Sequence, residues 1–429
     1  MRLLSFTIIF MAEVTAFTLS AEDFDVLPVE FLPGRPFDVP DEALQTPEQR
    51  QKQFDVFSWK MFAAVNWPAD EFGNPSNINI KDDSGGAATI WEHWKESYEV
   101  IRDGAKLDDW GKDRWVPVNS CTFNTLPRPL HVLDGLNQAG TLLGDPTAPG
   151  PLAAQSGGFV RYEIRMNKAQ FTYVISNGLN TRLGQTAFFN AGSNIDFPFS
   201  AVPNTDGCVQ VKAAWKELPD DPNILKRYHW CKPLVLNSKN EAGDIGGCDA
   251  GKIYGLVGIH IVTKTKNAPF WIWSTFEHID NAFIQNTPTH FNNGDPLQQG
   301  EAGFLLLPPL PPGVDPKKAP KRVFTDNNGA LPAPVLANIH RINPAVLNVQ
   351  KFNNEAHALL QNSAWKNYAL VDTQWTRNNN QPLPTFVPDK IANLSMESYK
   401  QNQSCLKCHF PALIGGKKSN QNFQLGRAK

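Results

Sequence analysis

Lys252-Ile253-Tyr254-Gly255-Leu256-Val257-Gly258-Ile259-His260-Ile261-Val262 decides the fold class. Apolar residues fall on both faces of this stretch, the pattern of a central strand covered on two sides. Immediately downstream, Phe270-Trp271-Ile272-Trp273-Ser274-Thr275-Phe276 reads as a strand that pairs with it or follows it. Upstream, Val209-Gln210-Val211-Lys212 leads to Trp215, and residues 159–166 alternate in character. Phe171-Thr172-Tyr173-Val174-Ile175 reads as a further strand. Tyr228-His229-Trp230 and Leu234-Val235-Leu236 make a short pair, and residues 368–375 look extended. Strands and helices do not alternate, so the expectation is an α+β fold with a central antiparallel or mixed β-sheet and flanking helices.

The flanking helices are marked by their ends. Pro47 stands at a first-turn position that proline tolerates. Phe54, Phe57, Trp59, Met61, Phe62 and Val65 then form a broad apolar face, and Pro68 stops the run. Trp91, Trp94 and Tyr98 predict a second helix over 89–103, with Gly104 as its C-cap. Ala356, Leu359 and Leu360 predict a third over 354–363. Residues 22–46 are a proline-punctuated arm. Residues 111–157 and 287–350 are long Pro/Gly-rich loops, the second centred on Leu307-Pro308-Pro309-Leu310-Pro311-Pro312-Gly313.

Composition sets the class. The 429 residues are 41% hydrophobic and 19% charged with a net charge of −2, which offers no basic face for nucleic acid. Roughly 400 residues exceed a usual single core, so two lobes are expected. Arg2, the apolar run over 3–10 and the small Ser20-Ala21 read as an export signal over 1–21, although Glu13 interrupts its apolar core. No other stretch reaches eighteen apolar residues, so no membrane span is expected after signal removal. The chain divides into the signal (1–21), a mixed α+β body (22–390) and a C-terminal helical segment (391–429) packed on the body. The expected compartment is the periplasm or another exported location.

That last segment carries Cys405-Leu406-Lys407-Cys408-His409. Two thiols one helical turn apart can each add across one vinyl group of the same porphyrin, and the next residue offers an imidazole to the iron. With six Cys and nine His in the chain, chance placement gives about 0.002 copies of C-x-x-C-H. A zinc half-site would need a second Cys or His pair at short spacing, which the residues after His409 lack. A thioredoxin-type motif would open a helix after a strand. The motif therefore predicts one covalent haem c, with Cys405 and Cys408 as attachment points and His409 as the proximal iron ligand. Ser395 is expected to cap a short helix running into the cysteines. Cys121, Cys208, Cys231 and Cys248 remain, an even number that suggests two disulfides in an oxidising compartment. Three pairings are open; Cys231–Cys248 closes the shorter loop.

The haem motif resembles those of c-type cytochromes. The body is similar to exported proteobacterial cytochrome c family proteins that carry one C-terminal C-x-x-C-H. The residues behind this are Phe57-Ser58-Trp59-Lys60-Met61-Phe62-Ala63-Ala64-Val65-Asn66-Trp67-Pro68, Lys212-Ala213-Ala214-Trp215-Lys216-Glu217-Leu218, residues 255–281 and residues 393–409. The resemblance implies a single-haem exported protein and supplies no substrate. It departs from the small class I cytochromes, in which the motif lies near the N-terminus and a Met ligand follows. Here twenty residues follow His409, and none is Met or His. In this position the motif looks more like those of the cytochrome c′ and cytochrome P460 groups, where the sixth iron position can be open.

Any second axial ligand must then come from upstream. His260 is the first candidate, on a buried strand that carries Gly255 and Gly258 just before it, glycines that would let a flat ligand approach. His278 is the second, between Glu277 and Asp280, whose carboxylates could orient an imidazole. Met396 falls in the core or on the proximal side. Arg161 and Arg165 share a strand face and could pair with haem propionates or form surface salt bridges. Two function classes follow. One is an exported electron-transfer cytochrome with capped iron, served by a redox partner protein. The other is a haem oxidoreductase with an open iron, acting on a small molecule or peroxide. A gas-binding or sensor haem protein is a third.

Overall fold

The computed structural model describes residues 26–36, 38–39, 46–112, 114–115, 125–126, 131–133, 135–136, 151–199, 207–238, 245–281, 289–292, 304–306, 337–343, 347–376 and 387–428. The expected export signal, Cys121, the side chain of Cys248 and the proline run over 307–313 lie outside them. Among the described residues, no helix is long and apolar enough to cross a membrane.

The fold is α+β, built on one seven-stranded sheet. Its strands are Lys95–Glu96 (β1), Arg161–Met166 (β2), Val209–Leu218 (β3), Trp230–Cys231 (β4), Ile253–Thr263 (β5), Ile272–His278 (β6) and Tyr368–Gln374 (β7). Their order is β1-β2-β3-β5-β6-β7, with β4 pairing on β5, and every pairing in the sheet is antiparallel. The expected central strand is central: all eleven residues of β5 are buried. A bulge between Leu256 and Gly258 shifts its register against β3.

Each face of the sheet has its own cover. On one face lies the helix Pro47–Val65 (α1), which begins at Pro47 as expected, behind a Thr46/Gln49 capping box. Its Phe54, Phe57, Trp59 and Phe62 pack with Val211, Ala213, Ile259, Ile261 and Phe276. Burial of side chains of this size contributes about 1.5–3 kcal/mol each. Ser58 pins the helix within this apolar layer, its Oγ 2.7 Å from Ser274 Oγ and 2.8 Å from Thr373 Oγ1. Asn66, rather than Pro68, ends the helix.

Residues 387–428 cover the opposite face. The cross-strand row Lys212↔His260↔Thr275 and the next row, Gln210↔Val262↔Trp273↔Gln374, point toward this segment. Asn393 Nδ2 donates to Thr275 Oγ1 (3.1 Å) and to the Phe276 carbonyl (2.8 Å). Leu394 N donates to Glu277 Oε1 (2.6 Å), and Tyr162 Oη to the Ser395 carbonyl (2.7 Å).

Several local expectations are corrected. Residues 171–175 are not a strand but lie in a helix, Lys168–Ser176 (α2), capped by Asn167, with Gln170, Phe171 and Val174 buried at helical spacing. A further helix, Arg182–Asn190 (α3), follows. Instead of one helix over 89–103 there is a 3₁₀ turn, Ile90–His93, then β1, then the single turn Ser97–Val100. The chain breaks there because Glu92 is drawn into a buried polar cluster, and Trp94 adopts an extended conformation. The helix expected over 354–363 is Leu347–Leu359 (α4). Cys208 is a fully buried thiol that forms no disulfide, so the four upstream cysteines do not all pair.

Candidate functional site

The C-x-x-C-H stretch forms a short helix, Cys405–His409 (α5), with both thiols on one side at i and i+3. Its N-cap is Ser404, whose Oγ accepts from Lys407 N at 3.2 Å. Ser395, the expected cap, is instead folded onto Asn393 Oδ1 at 2.6 Å. Leu406 anchors the helix on the sheet: its side chain is fully buried and its N–H donates to Gln374 Oε1 at 3.1 Å. Cys405 is half-buried and Cys408 exposed. Burial, reinforced by the nearby Glu397 carboxylate, raises both thiol pKa values.

His409 is held on three sides. Its ring lies 4.2 Å from the Trp273 ring and 4.9 Å from the Phe423 ring, centroid to centroid. Its Nδ1 is 2.7 Å from the Gln421 carbonyl, an acceptor that requires the proton on Nδ1. Nε2 is then the lone-pair nitrogen. Burial, with Lys212 and His260 nearby, lowers the pKa to about 4, so the ring is a neutral donor at ordinary pH.

The sheet floor beside α5 carries the other polar groups. His260 Nε2 is 3.0 Å from Glu397 Oε1, and Glu397 Oε2 accepts from Asn393 N at 2.8 Å. Burial alone would raise the Glu397 pKa, but His260 and Lys212 outweigh it and hold it below the usual range. Lys212 is half-buried with its Nζ 5.3 Å from the Tyr162 ring centroid, and it makes no hydrogen bond among the described residues. The indole N–H of Trp273, a residue 8% exposed, also has no hydrogen-bond partner among the described residues.

A haem, expected from the motif, fits this donor set. One neutral imidazole nitrogen is available for iron, and two thiols share a helix side. Two donors, Lys212 and the orphaned Trp273 N–H, are left for carboxylates. Among the described residues no group of three or more His, Cys, Asp or Glu is arranged to hold a metal. An iron whose other ligands are porphyrin nitrogens needs no such group.

Of the two upstream candidates, the structure brings His260 to the site and leaves His278 elsewhere. His278 is fully buried and stacked at 4.0 Å on Tyr228, at the far end of β6 from Trp273. Its Nε2 is 3.0 Å from the Arg227 carbonyl and its Nδ1 accepts from Asp280 N at 3.1 Å, so both nitrogens are engaged. Burial lowers its pKa to about 4. Met396 is buried in the core beside Val257 and Leu394. The glycines that precede His260 on the strand admit protein rather than a flat ligand. A Cβ on Gly258 would lie 2.1 Å from Ser395 Oγ, and one on Gly255 would lie 2.4 Å from Leu218 Cδ1. Glu397 and Lys212 were not singled out from sequence. Glu397 and Asp389 are the two acidic residues between 387 and 428, which was the available signal.

Arg165 takes no part in this site. It points to the helix face, where it pairs with Glu163 at 2.7 Å within a buried cluster of Glu92, His131, Glu163 and His229. His131 meets Glu163 Oε1 through Nδ1 and Glu92 Oε1 through Nε2, both at 2.7 Å, and His229 Nε2 reaches Glu92 Oε1 at 2.8 Å. Burial opposes charge on His131, but the two carboxylates outweigh it and raise its pKa. Arg161 donates to the Leu236 carbonyl at 3.1 Å.

Comparison with protein-family models, with curated proteins and with solved structures finds no match for this chain.

Proposed function

We propose that the protein is an exported monohaem c-type cytochrome whose function is electron transfer. One haem c is held by thioethers to Cys405 and Cys408 and by His409 on the iron. The observation that carries this reading is the setting of His409. A C-x-x-C-H histidine packs against Trp273 and Phe423 with Nδ1 on a carbonyl, which leaves a neutral Nε2 as the ligand nitrogen. Bound there, the haem supplies a one-electron ferric/ferrous couple. The chain's own residues would hold it: His409 Nε2 would bind the iron, the Cys405 and Cys408 thiols would attach the porphyrin, and Lys212 and the Trp273 N–H would donate to its carboxylates. The redox partner is a protein or a small molecule.

A second reading is a haem oxidoreductase with an open iron, and the His260–Glu397 contact favours it. An imidazole whose Nε2 is already engaged by a carboxylate is an acid–base pair rather than a free ligand.

The first test is expression with a haem-attachment system, then the optical spectrum with and without carbon monoxide. Haem that stays with the denatured chain in the parent, and is lost from a Cys405→Ala/Cys408→Ala double variant, supports covalent attachment. A parent chain without covalent haem refutes it. A low-spin spectrum unmoved by carbon monoxide, but converted to high spin by His260→Ala and not by His278→Phe, supports the capped electron carrier. A spectrum that shifts with carbon monoxide replaces it with the open-iron enzyme.

A further inference from the structure

Three non-glycine residues among those described have left-handed backbones: Trp271 at φ 73°, Asn420 at φ 51° and Gln421 at φ 66°. Such a backbone is disfavoured for most L-residues, and for a bulky aromatic it is a true outlier. Strain of this kind persists only where the surroundings over-determine it. All three residues belong to one chain of contacts. The Trp271 indole N–H donates to both the carbonyl (3.0 Å) and Oδ1 (3.1 Å) of Asn420. Lys264, itself buried, contributes a longer bond to the same Oδ1 (3.5 Å) and lies 6.0 Å from the Trp271 ring centroid. Asp196 closes an ion pair with Lys264. The next carbonyl along the chain, that of Gln421, is the acceptor for His409 Nδ1.

We propose that Trp271 and Asn420 are positioning residues: they hold the 420–421 backbone left-handed and so keep the Gln421 carbonyl on His409 Nδ1. This inference rests on the haem reading above. A hydrogen bond from the far nitrogen makes an imidazole a stronger donor to its metal. A stronger donor favours ferric over ferrous iron, so loosening the clamp raises the reduction potential.

The experiment measures the reduction potential of the haem-loaded full chain by spectroelectrochemistry, with the urea unfolding midpoint recorded for every protein. Three variants separate backbone conformation from side-chain loss. Asn420→Ala disfavours the left-handed conformation. Asn420→Gly loses the same side chain but adopts that conformation freely. Trp271→Phe keeps an aromatic ring and deletes the N–H. Asn420→Ala and Trp271→Phe are expected to shift the reduced-to-oxidised ratio at fixed potential about tenfold toward reduced, equal to about 59 mV for one electron. Asn420→Gly is expected to stay near the parent potential. The inference is overturned if Trp271→Phe leaves the potential unchanged, or if Asn420→Gly moves it as far as Asn420→Ala. A parent chain without covalent haem overturns the haem reading and this inference together. Haem present with unmoved potentials overturns this inference alone.

Discussion

Substituting Gly258 by alanine tests the packing of residues 387–428 on the sheet at its tightest point. The added Cβ would stand 2.1 Å from Ser395 Oγ, 2.8 Å from Asn393 Oδ1 and 3.0 Å from Asn393 Nδ2. Neither neighbour has slack. Both are fully buried, and Asn393 binds Thr275 Oγ1, the Phe276 carbonyl, Ser395 N and Ser395 Oγ at 3.1, 2.8, 3.0 and 2.6 Å. Overpacking of a rigid site costs about 1–3 kcal/mol. Losing two of those four hydrogen bonds adds about 1 kcal/mol each. The expected destabilisation is about 3–5 kcal/mol, a large share of a typical total of about 5–15 kcal/mol. Urea unfolding followed by tryptophan fluorescence reads it as a fall in midpoint. Gly426→Ala is the control in the same segment, because a Cβ there meets nothing within 4 Å. If Gly258→Ala unfolds at the parent midpoint, the segment does not lie on β5 as described, and the placement of α5 beside His260 fails with it.

Two further outcomes test other parts of the fold. The His131 pKa is raised in the folded state, so its stabilising contribution is complete below the unfolded value of about 6.5 and fades as pH rises through the folded value. His131→Gln should therefore cost more stability at pH 5.5 than at pH 9, and an equal cost at both would remove the imidazolium from the cluster. Cys208 is fully buried and burial raises its thiol pKa beyond the usual range, so it should resist alkylation at pH 8 until the chain unfolds. Mass-mapped labelling of native Cys208 at the rate of an exposed thiol would contradict its placement.

The sheet was legible where burial acts on both faces. β5 and its neighbours show in sequence because continuous apolar runs have few other uses. α2 was misread because Phe171-Thr172-Tyr173-Val174-Ile175 is rich in β-formers, although Asn167 and the spacing of Phe171 and Val174 carried the helix signal. The break after His93 was not legible, since it follows from Glu92 meeting His131 and His229, 39 and 137 residues away. The motif Cys405-Leu406-Lys407-Cys408-His409 named itself by spacing. Its surroundings did not. Glu397 and Lys212 matter through the row that sets Lys212 opposite His260, and Trp271 and Asn420 through backbone angles that no residue type announces.

The order of the strands has a kinetic consequence. β6 and β7 lie side by side, yet His278 and its partner Tyr368 are 90 residues apart, and Ser58 meets Thr373 across 315. Contacts at such separations form slowly, because the entropy of loop closure is lost before packing compensates for it. The hairpin of β5 and β6 is the local part of the sheet, and both of its faces stay open until α1 and residues 387–428 arrive. Refolding should accordingly show a slow phase and lose yield to aggregation as concentration rises. For the haem attachment proposed above, the same delay sets an order. Cys405 becomes half-buried and hard to ionise once the segment docks, so its reactive interval is the one before the sheet is covered.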